Sequence, residues 1–573
     1  MKLKSLPTDA NSIPALQWTD YEPFYKELEN RDLTKDNIDQ WLDDWSTLAA
    51  TVDEQYWRLY IDTTVDTADK EIEKRYNKYI QEIQPLAKTA EQKLKRKLID
   101  SNLSPRGFET GLMRIKAEAE LFNEKNLSLL TEEQKLAAEY NKIVGSITVM
   151  WEGKERTPSQ MFSLLRESDR SIRERAWRLM EERGMQERQK INALWEKFVP
   201  LRLQIAENSG VTDYRAYIWK QKFRFDYTPD DCKSFHAAVE EVVVPAAKRL
   251  YEKRRQRLGV DSLRPWDRYV DSFANDPIKP YGSIDEFKSK SHTIFTQVDP
   301  KFGEYFQVML DEDLLDLESR KNKAPGAYSL GLSVAHRPFI FMSNTNTFGD
   351  VLTLLHEGGH AFHEFESAHV NFFQRGETYL PAEFAEVASM GMELLASPYI
   401  TKEQGGFYSE QDAARALIGH LEINIRSWPY IALVDAFQHW VYENPKEGSI
   451  SSKCEEKWAD LWDRFMVGID YSDLEGFKKI YWHRQLHVHT LPFYYIEYGL
   501  ALLGAVQVFG NARRDQKKAV ADYRKALSLG ATAPLPELFS TAGAKFAFDA
   551  NTLKNAVGLM EQVMGELEEK LNE

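Results

Sequence analysis

His356-Glu357-Gly358-Gly359-His360 reads as H-E-x-x-H, and the rest of the chain is best interpreted outward from it. On a helix, imidazoles four residues apart share a face and can grip one metal ion, with the carboxylate between them beside the open coordination position. The chemistry this predicts is hydrolysis by a metal-activated water. At this His and Glu content chance produces the pattern in roughly one such chain in fifty, so its surroundings must support it.

Val351, Leu354, Leu355, Phe362 and Phe365 form an apolar stripe at helical spacing, with Thr353, His356, His360 and His363 as a second stripe beside it. Three histidines would line one face. Two adjacent glycines in a helix interior cost about 1 kcal/mol each relative to alanine, so Gly358 and Gly359 call for a reason other than stability. The expectation is that they let a substrate backbone approach the metal. The competing reading is a helix that ends at the glycines and carries surface histidines.

Catalytic zinc needs a third protein ligand. The next helical pattern, residues 381–396, places Glu383, Glu386 and Glu393 on one face of an otherwise apolar segment and is stopped by Ser397-Pro398. Buried carboxylates require cations, which a metal and its histidines supply. Glu386 is the chosen third ligand; Glu383, Glu393 and Asp350 are candidates for orienting the imidazole N–H groups. The alternative is a solvated acidic face. His483 and His487 repeat the four-residue spacing without a neighbouring acid and rank below the first pair. Beyond them, His489, Tyr494 and Tyr498 are candidate donors to the charge that develops on a carbonyl oxygen under attack, although such an aromatic cluster alone also suits core packing.

With 573 residues, 43% of them hydrophobic, the chain has material for a large core and two lobes. A net charge of -15 argues against a nucleic-acid partner. Residues 1–11 show no apolar leader, and the strongest apolar run, 499–509, is too short for a bilayer, so a soluble cytoplasmic protein is expected. Cys232 and Cys454 have no paired spacing, which speaks against a disulfide framework and against a thiolate zinc site.

The pattern is mainly helical. Thr131 with Gln134 and Thr157 with Gln160 have capping-box spacing, the second with Pro158 at the first helical position, and Thr228-Pro229 opens a further helix. Residues 147–151 read as a short strand followed by a turn at 152–154, while 264–280 breaks the helical pattern. Residues 327–330 and 339–342 are strand-like, so a small sheet is expected just before the H-E-x-x-H helix, with an edge able to take a substrate backbone as an added strand. A boundary near 195 divides an N-terminal helical lobe, 1–195, from a catalytic lobe, 196–573.

Gly326-Ala327-Tyr328 with Gly331-Leu332, the segment 350–363, Glu386 with Ser389, and the run 485–499 together resemble the zinc oligopeptidases that include thimet oligopeptidase, bacterial oligoendopeptidase F and the Pz-peptidases. The resemblance covers much of the C-terminal half, in the family's order. It implies a largely helical, clam-like, two-lobed molecule with a zincin-like core and one zinc ion deep in a channel whose width favours oligopeptides over folded proteins. His356, His360 and Glu386 would be the zinc ligands, Glu357 the general base, and Tyr494, Tyr498 and a histidine of the 487/489 pair the oxyanion donors. His489 has the spacing to Tyr494 of one branch, and His487 fits the Leu-His pattern of the bacterial branch. The implied activity is endopeptidase cleavage of internal bonds in short peptides. A zinc carboxypeptidase on a similar scaffold and an inert helical peptide-binding protein are the alternatives.

Overall fold

Helices carry most of the chain, interrupted by two small sheets. A computed structural model describes residues 6, 12–274, 278–376 and 378–572. The expectation for the start of the chain therefore lies, Leu6 apart, outside the described residues. No described helix is long and apolar enough to cross a membrane.

The chain divides into two compact units, each drawn from three stretches. The first takes Met1–Ala119, Ile278–Ala413 and Ala501–Phe546, and the second takes Glu120–Pro277, Ala414–Leu500 and Ala547–Glu573. The expected division at 195 falls inside the helix Arg188–Asn208, where Trp195 is fully buried and its indole N–H donates to the Gly448 carbonyl at 2.9 Å.

Local signals account for many of the element boundaries. Strands β1 (Val149–Trp151) and β2 (Lys154–Arg156) pair antiparallel through Glu152 and Gly153, both at positive φ, as a two-residue hairpin turn demands. Thr157 and Gln160 close a capping box with Pro158 in the first turn, and Thr228 caps the helix Pro229–Ala238. Thr131 is different: its helix begins at Asn126, and its hydroxyl bonds back to the Leu127 carbonyl at 2.9 Å inside the helix.

In the first unit, β3 (Leu315–Asp316), β4 (Ala327–Leu332) and β5 (Arg337–Met342) form a sheet in the order β3-β5-β4. The expected hairpin is present and longer than read, with Ala327 opposite Met342 and Leu332 opposite Arg337. The long helix Ile38–Val65 holds its tip: the buried Glu54 carboxylate accepts the Val334 and Ala335 amides at 2.6 and 2.9 Å, and the Ser333 hydroxyl donates to Asp53. Tying the tip down fixes β4, the edge strand beside the site.

Candidate active site

The site helix, Phe348–Ser367, starts at a capping box between Thr347 and Asp350. Asp350 also accepts the Thr345 amide at 2.9 Å and the Tyr281 hydroxyl at 3.0 Å. These bonds commit it to building the helix start, and the expected role in orienting a histidine is corrected accordingly. Val351, Leu354, Leu355 and Phe362 are buried, as the apolar stripe requires. The helix runs on through both glycines, which excludes a stop there.

His356 and His360 sit on one face with ring centroids 5.0 Å apart. The second helix, Ala382–Leu395, lies against them, with Pro381 before it and Ser397 after. Glu386 Oε2 is 3.4 Å from His356 Nε2 and 3.7 Å from His360 Nε2, and one donor atom from each of the three residues falls within 4.8 Å of the others. Donors around a tetrahedral zinc ion are about 3.3 Å apart for N and O ligands at their usual bond lengths, so this set fits such an ion. Glu393 Oε1 stands 2.7 Å from His356 Nδ1. With Nδ1–H directed to that carboxylate, Nε2, the atom that faces Glu386, is the one left to serve as a ligand once an ion displaces its proton. The Ser389 hydroxyl donates to Glu386 Oε2 at 2.9 Å and holds it in place.

Electrostatics follows the geometry. Burial pushes the His360 ring down to about 4, against the pull of the Glu386 and Glu393 charges, so the ring is a neutral donor. Burial alone would also lower His356, yet its bonds to Glu386 and Glu393 raise it well above the ordinary range. Burial would raise Glu386; the His356 bond, the two rings and Ser389 together bring it below its ordinary value. His363, the third histidine of that stripe, is buried, its ring 6.1 Å from Phe384 on the second helix.

Glu357 is buried, and burial first, then the Glu386 and Glu393 charges, push its carboxyl from 4.5 up to about 7, opposed by His356 and by the Ser329 amide on β4. A carboxyl poised near neutrality suits proton transfer in both directions. It also predicts a stability effect in metal-free protein. Between 4.5 and 7 the unfolded chain releases this proton while the folded chain keeps it, so stability falls as pH rises and the full cost, up to about 3 kcal/mol, stands above 7. Glu357→Gln removes that cost: thermal melts of chelated protein should show the variant more stable than the parent at pH 8 and equal to it near pH 4.5.

The glycines serve packing, which corrects the expected substrate approach. A Cβ on Gly359 would lie 2.4 Å from the Ala388 carbonyl oxygen and 2.6 Å from Ser389 Cα, so the two helices cross here backbone to backbone. A Cβ on Gly358 would meet the buried Phe295 ring at 2.6 Å. Gly359→Ala should push the helices apart, costing about 1–3 kcal/mol and moving Glu386 off the imidazoles. Paired thermal melts and zinc titrations check this; unchanged zinc affinity would break the link between crossing and ligand set.

The remaining candidates belong to the second unit. His487 clusters with Tyr494 and Tyr498, ring centroids 5.4 and 6.0 Å from it, and the tyrosines are 5.1 Å from each other. Gln485 Oε1 accepts from the Tyr430 hydroxyl at 2.8 Å, so its amide nitrogen, 3.1 Å from His487 Nδ1, is the donor there. His487 then carries its proton on Nε2, and burial keeps the ring neutral by lowering its pKa. Phe493, at φ 61, turns the chain into the helix Tyr495–Ala512, and the turn is fixed by Gln438, which accepts the Phe493 amide at 2.7 Å, and by Arg224, which donates to the Phe493 carbonyl. His489 is fully buried, stacked between Tyr140 at 4.2 Å and Trp482 at 5.5 Å, with Trp195 edge-on. Enclosed in that box its ring is shut off from solvent, and of the two histidines His487 is the one that shares the tyrosine cluster. His483 bonds to Asn192 Oδ1 at 2.7 Å and sits in a separate turn from His487, so the second four-residue pair does not converge.

A helical scaffold with an H-E-x-x-H helix and a glutamate from the following helix has the donor set of a metallohydrolase centre. The chain belongs to peptidase family M3: the model of that family matches residues 163–557, and the model of the peptidase M3 N-terminal domain matches residues 14–107. It is similar to the group B oligopeptidase PepB of Streptococcus agalactiae, at 22% identity over 65% of this chain and 60% of that protein. Oligopeptidase PepF of Bacillus subtilis is 22% identical over 57% of this chain and 48% of that protein. The chain thus spans about half to three fifths of these curated relatives. The solved structure of Pz peptidase A with an inhibitor superposes at a TM-score of 0.84, with 26% identity and 99% of each chain covered.

Proposed function

We propose that this chain is a zinc metallo-endopeptidase that hydrolyses internal bonds of short oligopeptides in the cytoplasm. The observation that carries the reading is the convergence of His356, His360 and Glu386 next to a buried Glu357. Family membership and the oligopeptidase names of the relatives support oligopeptides as the substrate class.

His356, His360 and Glu386 would hold the ion, with Glu393 and Ser389 fixing their orientation. When bound, zinc supplies Lewis acidity, lowering the pKa of water to about 7 and polarising the scissile carbonyl. Glu357 takes the proton of the attacking water and hands it to the leaving amine, a double duty suited to its raised pKa. The substrate backbone adds along the free edge of β4, whose Ser329 already touches Glu357. His487 Nε2–H and the Tyr494 and Tyr498 hydroxyls donate to the oxyanion. His489 has a positioning role, packing the segment that presents them.

Product mass spectrometry on peptides blocked at both ends tests the reading. Cleavage at interior bonds, abolished by chelation and restored by zinc, is expected. Trimming only from a free terminus would point to a carboxypeptidase, and binding without turnover to an inert scaffold.

A further inference from the structure

A second set of metal-type donors lies in the core of the second unit, on residues the peptidase reading does not use. Cys232, on the helix Pro229–Ala238, and Asp435 with His439, one turn apart on the helix Glu410–Glu443, each place a donor atom within 4.8 Å of the others, and all three are buried. Cys and His at 232 and 236, and Asp and His at 435 and 439, are two i, i+4 pairs on facing helices. His236 Nε2 is 2.8 Å from Asp435 Oδ2, and His439 Nε2 is 3.3 Å from the same oxygen. At 2.8 Å the His236 Nε2–H donates to the carboxylate and orients it.

The hydrogen bonding of this cluster is incomplete. Among the described residues, Asp435 Oδ1 and His439 Nδ1 have no hydrogen-bond partner, and His439 Nε2 has only its 3.3 Å approach to Asp435 Oδ2, although both side chains are almost wholly enclosed. Buried polar atoms left this way call for an ion or water. A thiol, a carboxylate and an imidazole together are the donor chemistry of zinc, whose ligand atoms stand about 3.3–3.6 Å apart at standard bond lengths. Closing the present separations to that range takes side-chain shifts on the order of an ångström.

We infer that Cys232, Asp435 and His439 form a second site for a divalent transition metal, zinc by its donor set, with His236 orienting the carboxylate. Cys232 binds as thiolate, releasing its proton to solvent, and the paired negative charges of Cys232 and Asp435 offset the ion. On this reading a thiolate would contribute to a metal site despite the unpaired cysteine spacing, because its partners come from another helix. The position has a consequence for the tyrosine segment. The His439 ring packs on Phe493 at 5.1 Å, and Phe493 is the left-handed turn that leads into Tyr494. A fixed His439 therefore braces that turn.

The test uses the full chain carrying His356→Ala and His360→Ala, which removes the first donor set. Isolated from zinc medium, this variant is expected to retain one equivalent of metal where the parent holds two. Isolated from cobalt medium, it should show sulfur-to-cobalt charge-transfer absorption in the near ultraviolet, lost when Cys232→Ser is added. The first centre has no sulfur donor, so the absorption reports this site alone, and failure of the peptidase reading would leave it unchanged. Cobalt retained without that absorption, absorption that survives Cys232→Ser, or a double variant that isolates free of metal would each overturn the site. The cobalt spectrum of the double variant decides the matter even if the Cys232→Ser protein does not fold.

Discussion

Glu357→Gln should lower kcat on a quenched internal-bond peptide by roughly 10²–10⁴-fold while the purified variant keeps its zinc. The substitution preserves volume and leaves an amide able to meet the Ser329 contact, so the helix and its ligands stay in place. What is lost is the proton acceptor. Neither of the two acids beside the histidines is free to replace it: Glu393 is bonded to His356, and Glu386 is held by His356 and Ser389. Zinc content and kcat are read on the same preparation. A zinc-loaded variant with near-parental kcat would remove Glu357 from the mechanism.

On this reading the buried carboxyl that serves catalysis also lowers stability. Its raised pKa comes from burial against the neighbouring carboxylates, and that arrangement costs free energy in the metal-free fold above pH 7. Strain of this kind at a functional site is expected when the surrounding packing is strong enough to hold it. The helix crossing at Gly359 is that packing, and it brings the carboxylates and imidazoles within ligand range. Stability and reactivity thus depend on one contact between two backbones.

Much of the centre was legible because it lies on two consecutive helices, where a period of 3.6 residues decides which side chains share a face. His356 and His360 follow from spacing within one helix, and Glu386 and Glu393 from spacing within the next. The role of the glycines was not legible, since nothing local reports that a Cβ at 359 would fall within 3 Å of the Ala388 carbonyl. Asp350 read as a candidate orienting acid; only the fold shows the Thr345 amide and Tyr281 hydroxyl occupying it. The choice between His487 and His489 likewise needed Tyr140 and Trp195, which are remote in sequence and close the box around His489. The boundary near 195 failed to mark a compact unit for a related reason: each unit is assembled from three stretches, and no composition shift marks such returns of the chain. In the same way Cys232 looked isolated until Asp435 and His439 arrived from a distant helix.

Glu386→Ala should produce the largest change in metal retention, and comparison with Glu393→Gln gives the expectation its scale. Substituting an outer carboxylate that orients a liganding histidine typically costs 10–100-fold in metal affinity, so Glu393→Gln belongs in that range. Glu386 is the donor that both imidazoles face, at 3.4 and 3.7 Å, and its removal leaves two neutral rings without the negative charge that offsets the ion. The loss should therefore exceed 100-fold, far enough for dialysis to strip the ion. The alanine variant should also lower the basicity of His356, which owes much of its raised pKa to the Glu386 bond. Competition titrations with a chromophoric chelator order the three proteins as parent, Glu393→Gln, Glu386→Ala. If the alanine variant bound zinc as tightly as the glutamine variant, Glu386 would be an orienting residue and the third ligand would have to come from elsewhere.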